Sequence, residues 1–159
     1  MLFQKKDKSL FAVANGRAIE LSSVPDEVFS SGMLGNGFAV EPFDGTIYSP
    51  ASGRIESVAE TRHAYTILTD DGLDLLVHIG IDSVTLGGEG FLSMVAAGDR
   101  VRAGDVIARA DLNILQGRNI PSVTVVIVGN PELIQIKKIR TGKVIGGEDA
   151  VMDYRLIKS

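Results

Sequence analysis

The chain has 159 residues, 45% of them apolar, with 16 basic and 20 acidic side chains, two histidines and no cysteine. A net charge of −4 argues against the broad positive face that binding to a nucleic-acid backbone requires, and the absence of thiols excludes disulfides, thiolate metal ligands and a cysteine nucleophile. No run approaches the roughly 20 apolar residues of a membrane-spanning helix.

The first segment, "MLFQKKDKSLFAVANG", imitates a signal peptide, with lysines ahead of Ala12-Val13-Ala14. Its apolar stretch, Leu10 to Ala14, is shorter than the roughly 7 to 15 residues of a signal core. Residues 1–15 are therefore read as a flexible, solvated extension, residues 16–159 as one domain, and the protein as cytoplasmic.

From Gly16 onward, short β-branched runs alternate with glycine turns: "GRAIEL", "GTIYS", "GRIESV", "TVVIV" and "GKVIG". Eighteen glycines at this spacing predict strands joined by tight turns. Two helical turns interrupt them. One is "PDEVFSSGML", with Pro25 and Asp26 as start signals; the other is "DLNILQG", with Asp111 as N-cap and Gly117 as the stop. The predicted fold class is all-β: a single antiparallel β-sandwich or barrel-like domain with one or two short helical turns.

Both histidines fall in "ETRHAYTILTDDGLDLLVHIGIDSV", residues 60–84. Residues 61–68 and 73–79 read as strands joined by the turn "TDDG". If Asp70-Asp71 is a two-residue loop, His63 stands directly opposite His78; if Asp71-Gly72 is the loop, the two are diagonal but share a face. A three-residue loop would separate them. The alternation favours the two-residue loops, putting Ala64, Thr66 and Leu68 on a core face with Leu73, Leu75, Val77 and Ile79, and His63, Tyr65, Asp74, Leu76 and His78 on the other.

Two facing imidazoles in a chain with no others point to chemistry. A catalytic zinc site takes at least three protein ligands, and only Asp82, Asp74 or a partner's carboxylate could complete one here. No G-x-S-x-G marks a serine nucleophile, and "TLGGEGF" lacks the Gly-Lys-Ser/Thr ending of a P-loop. Covalent catalysis by an imidazole remains, one ring taking a labile group while its neighbour and a hydroxyl steady the charged oxygens. Thr61, two residues before His63, is the candidate hydroxyl.

"ETRHA", "GLDLLVHIGIDSVTLGGEGF", "GDRVRAGDVI" and "GKVIGGEDAV" closely resemble the glucose-type enzyme IIA domain of the bacterial phosphoenolpyruvate-dependent sugar phosphotransferase system. Ser83 stands where that family usually has Thr, retaining the hydroxyl. The resemblance implies a phosphotransferase component in which His78 accepts a phosphoryl group from phospho-HPr and passes it to a cysteine of a IIB domain. It implies that His63 stabilises the phosphoryl oxygens and that Thr61 orients the His78 ring through its other nitrogen. It further implies partner docking through Phe29, Met33, Leu34 and Val84, with Asp26 and Asp82 as charge partners. No cofactor is required; zinc would bind His63 and His78 only when a partner's carboxylate completes the set. Regulatory protein targets, as some relatives have, stay open. A lipoyl- or biotinyl-like carrier, suggested by "SPASGRI" and "VRAGDVI", lacks the acceptor lysine, since no Lys occurs between Lys8 and Lys137. A zinc peptidase is short of ligands.

Overall fold

The structure, a computed structural model, describes residues 7–157. Its strands are β1 (Lys8–Phe11), β2 (Gly16–Glu20), β3 (Asn36–Pro42), β4 (Thr46–Tyr48), β5 (Gly53–Val58), β6 (Ala64–Thr69), β7 (Asp74–Ile79), β8 (Phe91–Ser93), β9 (Arg100–Val101), β10 (Val106–Ala110), β11 (Thr124–Val128), β12 (Ile134–Ile139), β13 (Gly142–Val144) and β14 (Ala150–Leu156). They form one eight-stranded sheet, ordered β13-β2-β3-β11-β7-β6-β5-β9, and two three-stranded sheets, β1-β14-β12 and β4-β10-β8. Neighbouring strands pair antiparallel throughout, as in β6 with β7 and β11 with β3. The all-β expectation holds.

Strand β11, "TVVIV", is buried on both faces because it lies between β3 and β7 and separates two cores. Val126 and Val128 face the main core, with Phe38, Leu75, Val77 and Ile79. Val125 and Ile127 face a smaller one with Leu21, Val24, Phe29, Ala39 and Ile81. A run of apolar residues with no polar alternation is what such a central strand requires. Gly37 of β3 is equally constrained, since a Cβ there would fall 1.7 Å from the Val126 carbonyl oxygen of β11.

Both helical turns form where the capping residues place them. Helix α1 (Glu27–Ser30) begins at Asp26, whose side chain accepts from Val28 N, and α2 (Leu112–Gly117) begins at Asp111, whose side chain accepts from Asn113 N and Ile114 N. Each cap satisfies amides that a helix start leaves free. No helix among the described residues is long and apolar enough to cross a membrane.

The extension expected over residues 1–15 is corrected from residue 7 onward; residues 1–6 lie outside the described residues. Strand β1 pairs with β14, and Leu10, Ala12, Val13 and Ala14 are completely buried. Leu10 and Phe11 of the apolar run close strand β1, and the small residues Ala12, Val13 and Ala14 that follow let the chain enter the core before β2 begins. The backbone continues the tie: Ala12 N donates to Asp149 O and Tyr48 N to Val13 O.

Candidate functional site

The turn between β6 and β7 has three residues, Asp70-Asp71-Gly72. Thr69 N donates to Leu73 O at 2.9 Å, Gly72 N donates to Thr69 O at 3.0 Å, and Gly72 takes φ 92°, the pattern of a turn closed by a left-handed glycine. This overturns both two-residue loops expected from sequence. In the resulting register Ala64 faces His78, Tyr65 faces Val77 and Ile67 faces Leu75. One residue of slip exchanges the faces of a strand. Tyr65, Ile67 and Thr69 of β6 therefore point into the core, with Ala64, Thr66 and Leu68 on the other side, opposite to the expected assignment.

By parity alone His63 would lie on the main-core face and His78 on the other. The rings nonetheless meet, because β6 ends at Ala64 and His63 lies in the turn before it. Arg62 N donates to Ala59 O at 2.7 Å, Ala59 N to Ala64 O at 2.9 Å, and Arg62 takes φ 60°. A left-handed conformation in a long side chain costs roughly 1–2 kcal/mol. Beyond this turn strand alternation no longer dictates direction. The two imidazoles stand edge to face, with centroids 4.9 Å apart and planes at 84°.

His78 arrives from the sheet face that carries the small core, and Phe29 of α1 packs on its ring at a centroid distance of 5.0 Å. His63 packs from the other side at 6.4 Å from Phe91, a residue of the main core. The site thus lies at the sheet rim where the two cores meet. His63 is 8% exposed, whereas His78 is half-buried.

The Nδ1 of His78 lies 2.9 Å from the carbonyl oxygen of Gly80. A carbonyl only accepts, so Nδ1 carries the proton and Nε2 carries the free lone pair. The turn that brings Gly80 back is fixed by Ser83, fully buried, whose hydroxyl donates to Ile79 O. Thr61 Oγ1 lies 2.6 Å from His63 Nδ1. The hydroxyl expected to orient His78 orients His63 instead, and the backbone of Gly80 takes the place at His78.

Burial lowers the pKa of both rings. For His78, burial is reinforced by repulsion from His63 and opposed by the Gly80 carbonyl and the charges of Asp26 and Asp82. Neutral imidazoles near pH 7 follow, leaving a nucleophilic nitrogen on His78 and a hydrogen-bonding neighbour.

The apolar residues expected to dock partners divide into two kinds. Met33, Leu34 and Val84 are exposed, at 76%, 42% and 55%, as is Val28. Phe29 is buried; it walls the His78 ring and offers no docking area. Asp26 caps α1 while its charge reaches His78, and Asp82 lies exposed in the turn after it, with φ 57°. Sequence reasoning missed Arg62, Gly80 and Phe91. The glycine directly after "VHI" signalled the turn, and "GGEGF" was weighed only as a failed phosphate loop.

The fold and site define an antiparallel all-β domain with a paired-imidazole centre at a sheet rim. Residues 8–134 match the family model described as phosphoenolpyruvate-dependent sugar phosphotransferase system, EIIA 1. The chain is 37% identical over 153 residues to the PTS system glucose-specific EIIA component of Staphylococcus aureus, covering 96% of this chain and 92% of that protein. It is 39% identical over 154 residues to the PTS system glucose-specific EIICBA component of Streptococcus pneumoniae, covering 97% of this chain but only 21% of that longer protein. The glucose permease IIA from Mycoplasma capricolum superimposes with a TM-score of 0.88 at 35% identity, over 96% of this chain and 99% of that one. The chain belongs to the EIIA 1 family of the phosphoenolpyruvate-dependent sugar phosphotransferase system.

Proposed function

We propose that this chain is a phosphocarrier that takes a phosphoryl group from the phosphohistidine of HPr onto His78 and gives it to a cysteine of a IIB domain. The observation that carries the reading is the bond from His78 Nδ1 to Gly80 O, which leaves Nε2 neutral, basic and beside a second imidazole. In acceptance, the Nε2 lone pair attacks phosphorus, an N–P bond forms on His78, and the N–P bond of the donor breaks as its imidazole leaves. In delivery, the cysteine thiolate forms an S–P bond and His78 departs with its electron pair. His63, with Thr61 on its Nδ1, presents Nε2 to the phosphoryl oxygens and stabilises charge as it moves.

The exposed rim of Val28, Met33, Leu34 and Val84, with the acids Asp26 and Asp82, suits successive docking to basic protein partners. The name of the Streptococcus pneumoniae relative joins IIC, IIB and IIA in one protein, which supports IIB as acceptor. The relatives' names make glucose the first sugar to test. Among the described residues no group of three His, Cys, Asp or Glu could hold a metal ion. His63 and His78 would supply two zinc ligands, and a partner's carboxylate would have to complete the site.

The test is incubation with labelled phosphoenolpyruvate, enzyme I and HPr. An acid-labile, base-stable label is expected on the wild type and none on His78→Ala; a labelled alanine variant sinks the assignment. His63→Gln is expected to accept label yet lose transfer to IIB by about a hundredfold or more.

A further inference from the structure

Arg62 has no part in the transfer steps above, yet it occupies the one residue that turns His63 toward His78. Its backbone is left-handed, φ 60°, and its side chain crosses to the glycine-rich loop ahead of β8. There Nε donates to Phe91 O at 3.2 Å and Nη2 donates to Gly88 O at 3.2 Å. Gly88 leaves room for the guanidinium, because a Cβ at that residue would stand 2.7 Å from Nη2. The loop needs such a tie: Gly87, Gly88 and Gly90 all take positive φ, and glycines lose the most freedom on ordering. What the tie holds in place is Phe91, whose ring lies against His63.

We propose that Arg62 is a positioning residue for the relay, a two-pronged clamp that joins the turn carrying His63 to the glycine-rich loop and to Phe91 at the start of β8, and so fixes the His63 ring beside His78. The proposal rests on the phosphocarrier reading for its consequence and on geometry for the clamp itself. A planar fork suits the task better than an ammonium, which is a single point of charge. The clamp acts on His63 and Phe91, while the Nδ1 partner of His78 is the Gly80 backbone. Loss of Arg62 should therefore spare acceptance and impair delivery.

The variant of choice is Arg62→Asn, since asparagine tolerates the left-handed turn but cannot reach the two carbonyls. Labelling of His78 by phospho-HPr is expected within about twofold of wild type, with transfer to IIB reduced roughly tenfold to a hundredfold, the scale of a misplaced group. The NOE between the His63 and Phe91 rings is expected to vanish. Arg62→Lys, with a single donor nitrogen in place of a fork, should fall between the two, and it is read alone if the asparagine variant fails to fold. Delivery at the wild-type rate with the ring-to-ring NOE intact, in either variant, overturns the clamp. If the wild type takes no label on His78, the phosphocarrier reading fails, and the NOE still decides whether Arg62 holds the two rings together.

Discussion

His78 Nδ1 is held by the carbonyl of Gly80, two residues along the same chain, at 2.9 Å. A backbone acceptor cannot titrate or swing away, so the tautomer that frees Nε2 is built into the turn itself. Gly80 takes φ 81°, and a Cβ there would meet Pro121 O and the Ser83 Cβ, each at 3.1 Å. Gly80→Ala is expected to destabilise the fold by about 1–3 kcal/mol and to slow labelling of His78 several-fold, checked by denaturant unfolding and rapid-quench phosphorylation. An alanine variant with wild-type stability and labelling would show that this turn does not set the tautomer.

Thr61 contacts His63, whereas the Nδ1 of His78 is taken by the Gly80 backbone. The Thr61 hydroxyl bonds the Nδ1 of His63 at 2.6 Å, so Thr61→Val should lower transfer to IIB about tenfold while leaving acceptance from HPr nearly unchanged, at a stability cost of about 1 kcal/mol. Thr61→Ser should restore transfer. Equal losses in both steps would instead place Thr61 on the His78 side, as the family resemblance implied.

Burial lowers the pKa of His63, and burial together with the neighbouring His63 lowers that of His78. The sign for function is favourable: the neutral, attacking form of His78 persists below the ordinary histidine value of about 6.5. Phosphorylation of His78 should stay flat as pH falls from 8 to about 6.5 and decline only beneath it. Stability runs the same way, because the unfolded chain takes up these protons first; it should drop as pH falls below about 6.5 and through the folded values. Titration of the ring protons by NMR checks this, and midpoints at or above 6.5 for both rings would contradict it.

The helix caps Asp26 and Asp111, the glycine-punctuated strands and the β-branched run of β11 were legible because each is encoded by its own residues and near neighbours, whereas the burial of β11 between two cores depends on its partners β3 and β7. The histidine pair was legible for a different reason than its actual geometry. Sequence alternation cannot separate a two-residue from a three-residue turn, and the one-residue slip put Tyr65, fully buried, on the wrong face. The pair survives the slip because Arg62 turns the chain, a feature that needs a tertiary partner, the Gly88–Phe91 loop, to be intelligible. Thr61 and Phe29 were identified as site residues, but the roles the resemblance implied for them, orienting His78 and docking partners, differ from their contacts, because which ring a side chain reaches depends on packing between distant segments. The segment before Gly16 was misjudged because its strand partner, β14, lies at the far end of the chain.

The turn that sets this register is anchored by Asp71. Its carboxylate accepts from the Thr69 hydroxyl at 2.5 Å and from the Tyr154 hydroxyl at 2.6 Å, with Lys8 at 3.5 Å. Burial alone would raise the Asp71 pKa, but the Thr69 and Tyr154 donors with the Lys8 charge hold it below the usual carboxylate range. Burial and the Asp71 carboxylate in turn raise that of Tyr154. A depressed carboxylate stabilises the fold above its unfolded pKa of about 3.9, and that contribution disappears as pH falls through the folded value. Asp71→Ala should cost about 2–3 kcal/mol and Tyr154→Phe about 1 kcal/mol, with the double variant costing less than their sum because the two share one bond. Asp71→Asn should flatten the loss of stability as pH falls below about 4. Urea unfolding across that range measures both effects; additive single costs and an unchanged acid limb would mean that Asp71 and Tyr154 do not act through a shared bond.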